Sequence, residues 1–247
     1  MTETEKDRYI HVRIRYSKQG ALKFIGHLDM MRSFQKLLRR AEADVAFSEG
    51  FSPHMIMSYA FPLGVGMTSD SEYVDVQLDP HGSGRELLEK LTKEAPEGIH
   101  FLEIRQIQPG KANKGMALVA RADYTLTFRE GHSWPEGWDT AFGDWLKTPQ
   151  ILVMKKGKRT EKEIDIRPLI YDARAQGNPE GKIFLALSAG SAANIRPEMV
   201  MQEFAKSRSY EWSEFMFQVN RDEVYADRGE DGRHEFVSLT GLGTVIE

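Results

Sequence analysis

Three side chains in this sequence are suited to moving protons: His27 and Asp29 in Gly26-His27-Leu28-Asp29, and His54 in Glu49-Gly50-Phe51-Ser52-Pro53-His54. A histidine titrates near neutrality and can act as general acid or base. His27 opens a stretch of helical period, where backbone amides favour an anion, and Gly50 and Pro53 fix a loop that presents Phe51 and His54. Plainer roles stand beside these. Asp29 at a helix start complements the helix dipole, and a lone loop histidine is often structural. No nucleophile or partner base can be identified for either histidine. His27, Asp29 and His54 match no metal-ligand spacing, so no metal is expected. Gly64-Val65-Gly66 lacks the rest of a dinucleotide fingerprint, precedes no helix and reads as a turn.

The second chemical signal is positive charge. Arg13, Arg15, Lys18 and Lys23 come from a strand and turn, and Arg32, Lys36, Arg39 and Arg40 lie along the helix that follows. Gathered on one surface they would grip phosphates; dispersed, they would form a solvated face. Arg13 and Arg15 also share a strand face with Tyr73, Gln77 and Asp75 across the sheet. That face could stack single-stranded bases, or it could pack against the rest of the chain. Lys155, Lys156, Lys158, Arg159 and Lys162 form the densest basic run, at an expected hairpin tip. A phosphate-gripping finger and lysine protection against strand aggregation are both read there.

Composition sets the boundaries. With no cysteine the chain cannot hold an iron–sulfur cluster in the usual way, use a thiol nucleophile or form disulfides, and no cofactor is assigned to it. A net charge of −4 means that nucleic-acid binding would rest on local clustering. The first eight residues, MTETEKDR, lead into no apolar segment, and no apolar run is long enough to cross a bilayer. A cytoplasmic protein is expected.

Hydrophobic period places these residues on elements. Val12, Ile14 and Tyr16 alternate with His11, Arg13 and Arg15 as in a half-buried strand. Met30, Phe34, Leu37 and Ala41 recur at helical spacing over 27–43. Residues 55–61 and 73–78 read as strands, 84–95 as a helix and 99–107 as a strand, in the order β-α-β-β-α-β of a ferredoxin-like unit. Residues 108–120, containing PGKANKG, read as a linker. The order then roughly repeats: a strand at 124–128, a helix from Trp138 to Leu146 stopped by Pro149, a hairpin from 151–154 and 164–171, a strand at 182–188, a helix entered at Pro197 and a last strand pair from Phe215. An α+β fold of two tandem ferredoxin-like units is therefore expected. The first domain would span 8–108, and the second 121–247, elaborated with the basic hairpin and a C-terminal ribbon.

RIRYSKQGALKFIGHLDMMRSFQKLLRRAEADVAFSEGFSPH followed by SYAFPLGVGMTSDSEYVDVQL resembles the bacterial family of radical SAM-linked, or radical SAM-associated, proteins, a domain of unknown function. Weaker agreement continues at EKEIDIRPLIYDARA and IRPEMVMQEFA. The resemblance implies a neighbouring or partner radical SAM enzyme, and RNA as the molecule served. Where relatives continue the loop with proline and lysine, this chain has His54-Met55-Ile56. The leading expectation is an RNA-binding accessory protein of a radical SAM enzyme in RNA modification or processing. Two alternatives stand beside it: a metal-free RNA endonuclease or modifying enzyme using His27 or His54, and a protein–protein scaffold that never touches nucleic acid.

Overall fold

The alternating strand, β1 (Ile10–Lys18), puts Val12, Ile14 and Tyr16 into a hydrophobic core and turns His11, Arg13 and Arg15 to the opposite face. The computed structural model describes residues 9–79, 82–156 and 161–247. Among them the chain divides into two units, one running to Ala120 and completed by Glu223–Glu247, the other spanning Arg121–Asp222.

In the first unit α1 (His27–Arg40) lays Met30, Phe34, Leu37 and Leu38 on β1, so the helical stripe read from the sequence is the buried one. Phe34 sits 5.3 Å from Tyr16 and 5.6 Å from Phe101, ring centre to ring centre. Each such apolar side chain contributes about 1.5–3 kcal/mol by leaving water. The chain continues through β2 (Met57–Tyr59), β3 (Thr68–Leu78), α2 (Gly84–Glu94) and β4 (Ile99–Ile107). A capping box starts α2, with Ser83 accepting from Glu86 N and Glu86 accepting from Ser83 N. β1 pairs antiparallel with β3 and with β4, and β2 pairs with β3, giving the order β4-β1-β3-β2. Gly98, at φ +89°, lets β4 begin against the end of β1. An added Cβ would stand 2.6 Å from Gln19 O, next to the Gln19 N to Gly98 O hydrogen bond.

Residues 108–120, expected to be a linker, fold back onto the first unit. They form a 3-10 turn (Lys111–Asn113) and the short α3 (Gly115–Leu118), anchored by Gly115 N donating to Asp75 Oδ2.

The second unit contains β5 (Val119–Phe128), α4 (Trp138–Trp145), the hairpin of β6 (Leu152–Lys156) and β7 (Glu161–Asp165), β8 (Ile170–Gln176), β9 (Lys182–Ser188) and α5 (Pro197–Arg208). The single strand read over 164–171 is two, because Arg167–Leu169 forms a 3-10 turn with Pro168 in it. β10 (Phe217–Asp227) completes the order β10-β5-β9-β8, with Thr125 Oγ1 donating to Asp222 Oδ2. An aromatic cluster fills this core. Phe142 and Phe204 meet edge to face at 5.0 Å, Trp134 lies 5.3 Å from Phe204, and Trp134 Nε1 donates to Glu211 O.

From Glu223 onward β10 belongs to the first unit, as do β11 (Phe236–Ser238) and the tail. The C-terminal ribbon is thus not part of a domain 121–247. The tail pairs Gln106 with Thr244 through both backbone groups, and Ile246 O accepts from Gly84 N. The architecture is α+β. No helix among the described residues is long and apolar enough to cross a membrane.

Candidate functional site

The polar face of the first sheet was the expected nucleic-acid platform, and over most of its length it is closed. Arg13 is 0% exposed. Its Nε and Nη2 donate to the two oxygens of Asp75 at 2.7 and 2.9 Å, Nη1 donates to Leu239 O, and Nη2 also reaches Asn113 O. The guanidinium is sealed under the 108–120 segment and the tail. It is not an RNA contact, because no donor faces solvent. Lys18 is likewise no surface cation: it is buried, with Nζ donating to Ile25 O.

One row along, Glu223 collects donors. Its Oε2 accepts from Arg15 Nη2 at 2.7 Å, and its Oε1 from Ser71 Oγ at 2.8 Å and Tyr73 OH at 2.7 Å. Arg15 Nε also donates to Ser71 Oγ, so the half-buried Arg15 side chain is tethered to partners on β3 and β10. Burial and the Glu223 carboxylate push the Tyr73 phenol well above its usual range, and burial with Glu72 does the same to Tyr59. A raised phenol pKa stabilises the fold fully below the unfolded value of about 10 and loses that contribution as pH climbs from there toward the folded value. Urea unfolding from pH 8 to 11 should therefore show stability falling above pH 10, less steeply in Tyr73→Phe. A variant slope equal to the parent's would refute this origin.

The cations of α1 are exposed but partly neutralised. Arg32 pairs with Asp29 at 3.2 Å, and Arg40 with Glu94 at 3.0 Å while also donating to Glu94 O. Lys36 and Arg39 stand exposed on the same helix. Lys23 lies over the Phe24 ring, its Nζ 5.3 Å from the centroid. His27 does open α1, with its ring edge-on to Tyr59 at 5.1 Å. The 48–54 loop is closed by its own ends: Ser48 Oγ bonds His54 Nδ1 at 2.8 Å and accepts from His54 N, and Ser48 N donates to His54 O. His54 thereby clasps the loop through Nδ1 while the residue itself stays exposed, and Phe51 projects fully exposed from the tip. Among the described residues no group of His, Asp or Glu is arranged to hold a metal ion. Of the hairpin cations, Lys155 and Lys156 have their backbone in β6, their side chains lie outside what is described, and Lys158 and Arg159 lie outside the described residues altogether.

The sheet face opens at its other end. His11 of β1 sits in register with Gln77 of β3 and Ile107 of β4, beyond the rows covered by α3 and the tail. There a cleft of about 740 Å³ runs between the strands and the loop, lined by Tyr9, Phe47, Ser48, Glu49, Ile56 and Pro109 around the His11–Gln77 floor. A smaller recess behind it shares His11 and Gln77 and adds Lys114. His11 Nε2 and Gln77 Nε2 are 2.8 Å apart. The amide nitrogen can only donate, so His11 Nε2 accepts and the ring is neutral with its proton on Nδ1. Burial lowers the His11 pKa, with Asp75 opposing and Lys114 adding to the shift. The sequence marked His11 as merely outward-facing, since no residue type announces that the covering segments stop short of it.

These features define an α+β protein whose first-unit sheet buries the Arg13–Asp75 pair on its polar face and carries a cleft at the His11 end of that face. The family model described as "Uncharacterized protein conserved in bacteria (DUF2344)" matches residues 11–197, and the chain belongs to that family. No curated protein matches it. Among solved structures, one described as "Crystal Structure of an Unknown Protein from Galdieria sulphuraria" is 11% identical, with 86% of this chain and 97% of that one covered at a TM-score of 0.25.

Proposed function

We propose that this chain is a non-catalytic accessory protein that works by docking to a protein partner, and that the partner is the radical SAM enzyme its sequence resemblance implies. The carrying observation is where charge and apolar surface fall. Arg13 and Lys18 are buried in the first unit, and Arg15, half-buried, together with Arg32 and Arg40, faces carboxylates. Phe24, Leu28 and Val65 instead stand exposed near the start of α1, where Gly66 N donates to Lys23 O and ties the turn bearing Val65 to the segment bearing Phe24. Exposed apolar side chains grouped in this way mark interaction surfaces. The orders β4-β1-β3-β2 and β10-β5-β9-β8, each built from a β-α-β-β-α-β succession interrupted in the second unit by the β6–β7 hairpin, support reading both units as ferredoxin-like.

RNA binding is the second reading, and the exposed Lys36 and Arg39 favour it. Both readings meet in one experiment: titration of the full chain with the radical SAM protein and, separately, with tRNA and rRNA fragments at several salt concentrations. Docking predicts that Leu28→Asp weakens partner binding at least tenfold, about 1.4 kcal/mol, while Lys36→Ala/Arg39→Ala leaves it unchanged. RNA affinity above that for a nonspecific polyanion, with a salt slope that falls by about 0.9 per lost phosphate contact in the double variant, would replace docking with RNA recognition.

A further inference from the structure

We propose that strand β8 pairs antiparallel with β8 of a second copy of this chain, about a two-fold axis at Ala173. The proposal rests on the second unit alone, so it and the docking surface at α1 stand or fall separately.

The edge comes first. β8 ends the order β10-β5-β9-β8, and among the described residues β9 is the only strand paired with it. The outer side of such a strand presents a row of backbone N–H and C=O groups on which another strand can build. From Tyr171 to Gln176 its residues are half-buried or exposed, and none is a proline that would interrupt a ladder.

Charge sets the occupant and the register. Asp172 and Arg174 are both exposed and project from the same face of β8. An axis at Ala173, the middle residue of the strand, sets Asp172 of each copy opposite Arg174 of the other and matches β8 along its whole length. Shifting the axis by one residue sets Asp172 opposite Asp172, or Arg174 opposite Arg174, and like charges directly opposite are destabilising. Charges that discourage indiscriminate edge pairing therefore permit this one register. Within one chain Arg174 Nε stands 3.3 Å from Asp172 Oδ2, and the guanidinium lies over the Phe184 ring, 4.6 Å from its centroid. An exposed pair of this kind is weak, so exchanging partners across the axis loses little.

The first unit supplies a contrast. Glu103 and Arg105 of its edge strand β4 repeat the spacing of acid and base, paired at 2.6 Å. There the tail already takes the outer side. Gln106 and Thr244 exchange both backbone bonds, and a Cβ added to Gly243 would stand 2.6 Å from Arg105 Cβ. Among the described residues β8 carries no comparable strand or tail.

The test uses the full chain, which contains no cysteine. Sedimentation velocity from micromolar to submillimolar concentration should show a reversible monomer–dimer equilibrium. Arg174→Asp, which confronts each Asp172 with a second aspartate, should weaken dimerisation about tenfold, and Asp172→Arg/Arg174→Asp should restore it. Ala173→Cys should form an intermolecular disulfide on mild oxidation, because residues directly opposite lie about 4.5–5.5 Å apart between Cα atoms, within disulfide reach. Gln176→Cys should not, since it faces Ile170 and stands about 20 Å from its own symmetry mate. Leu28→Asp should leave the dimer unchanged. A monomer at every concentration, a dimer indifferent to Arg174→Asp or lost in Leu28→Asp, no recovery in the double variant, or failure of Ala173→Cys to cross-link in preference to Gln176→Cys would overturn the proposal.

Discussion

Replacing Asp75 by alanine is expected to destabilise the protein by about 3–5 kcal/mol, the usual cost of stripping the partner from a buried charge. Arg13 would keep its positive charge at 0% exposure with only the carbonyls of Leu239 and Asn113 left to it, and Gly115 N would lose its acceptor. Against a total stability of about 5–15 kcal/mol this is a large share. At about 2–4 °C per kcal/mol for a chain of this size, the midpoint should fall by about 6–20 °C. Urea unfolding followed by far-UV circular dichroism measures the change. The pair variant Arg13→Met/Asp75→Leu should recover most of the loss, because two apolar side chains leave no unpaired charge. A single-variant loss below about 1 kcal/mol would mean that water reaches Arg13 and that the face is not sealed.

The same ion pair shows what could be read in advance and what could not. The alternation around Arg13 and around Asp75 is local, and it correctly puts both on one face of one sheet. What covers that face is remote. Arg13 is 62 residues from Asp75 and 226 from Leu239, and two of its acceptors are backbone carbonyls, which carry no residue-type signature. PGKANKG has the composition of a linker, yet its last glycine supplies a backbone amide to Asp75, and an added Cβ there would stand 2.7 Å from Ala60 Cβ. Helix α1 was legible because its stripe is strong and its burial follows from period alone. The charges on its outer face were legible as positions but not as chemistry. Glu94, which neutralises Arg40, arrives from α2, 54 residues on. Likewise, nothing in Ser48 or His54 says that they clasp each other and engage one ring nitrogen of the loop histidine. The His11–Gln77 cleft was missed for the converse reason. Its residue types are ordinary, and only the end points of the covering segments leave that row open.

Ending the chain at Ser238 is the second change with a large expected effect, because it asks which unit the tail completes. The truncated protein would lose Leu239 and Thr240, both buried, along with the carbonyl that accepts from Arg13 Nη1. It would also lose the paired backbone bonds between Gln106 and Thr244 and the bond from Gly84 N to Ile246 O. Losing the buried Leu239 side chain costs about 1.5–3 kcal/mol and an unsatisfied buried donor about 1–3 kcal/mol, so the sum is about 2.5–6 kcal/mol before the tail's backbone bonds are counted. Hydrogen exchange resolves where this falls. Amides of β1, β3 and β4 should lose protection in the truncated chain, while those of β9 and α5 keep theirs, since β9 and α5 lie in the other unit. Protection lost first from β9 and α5 would place the tail's contribution in the second unit, the assignment the element order alone suggested. If the loss falls on β1 and β3, residues 223–247 act as the last structural segment of the first unit, and the polar face of its sheet is built as an interior rather than as a surface awaiting a ligand.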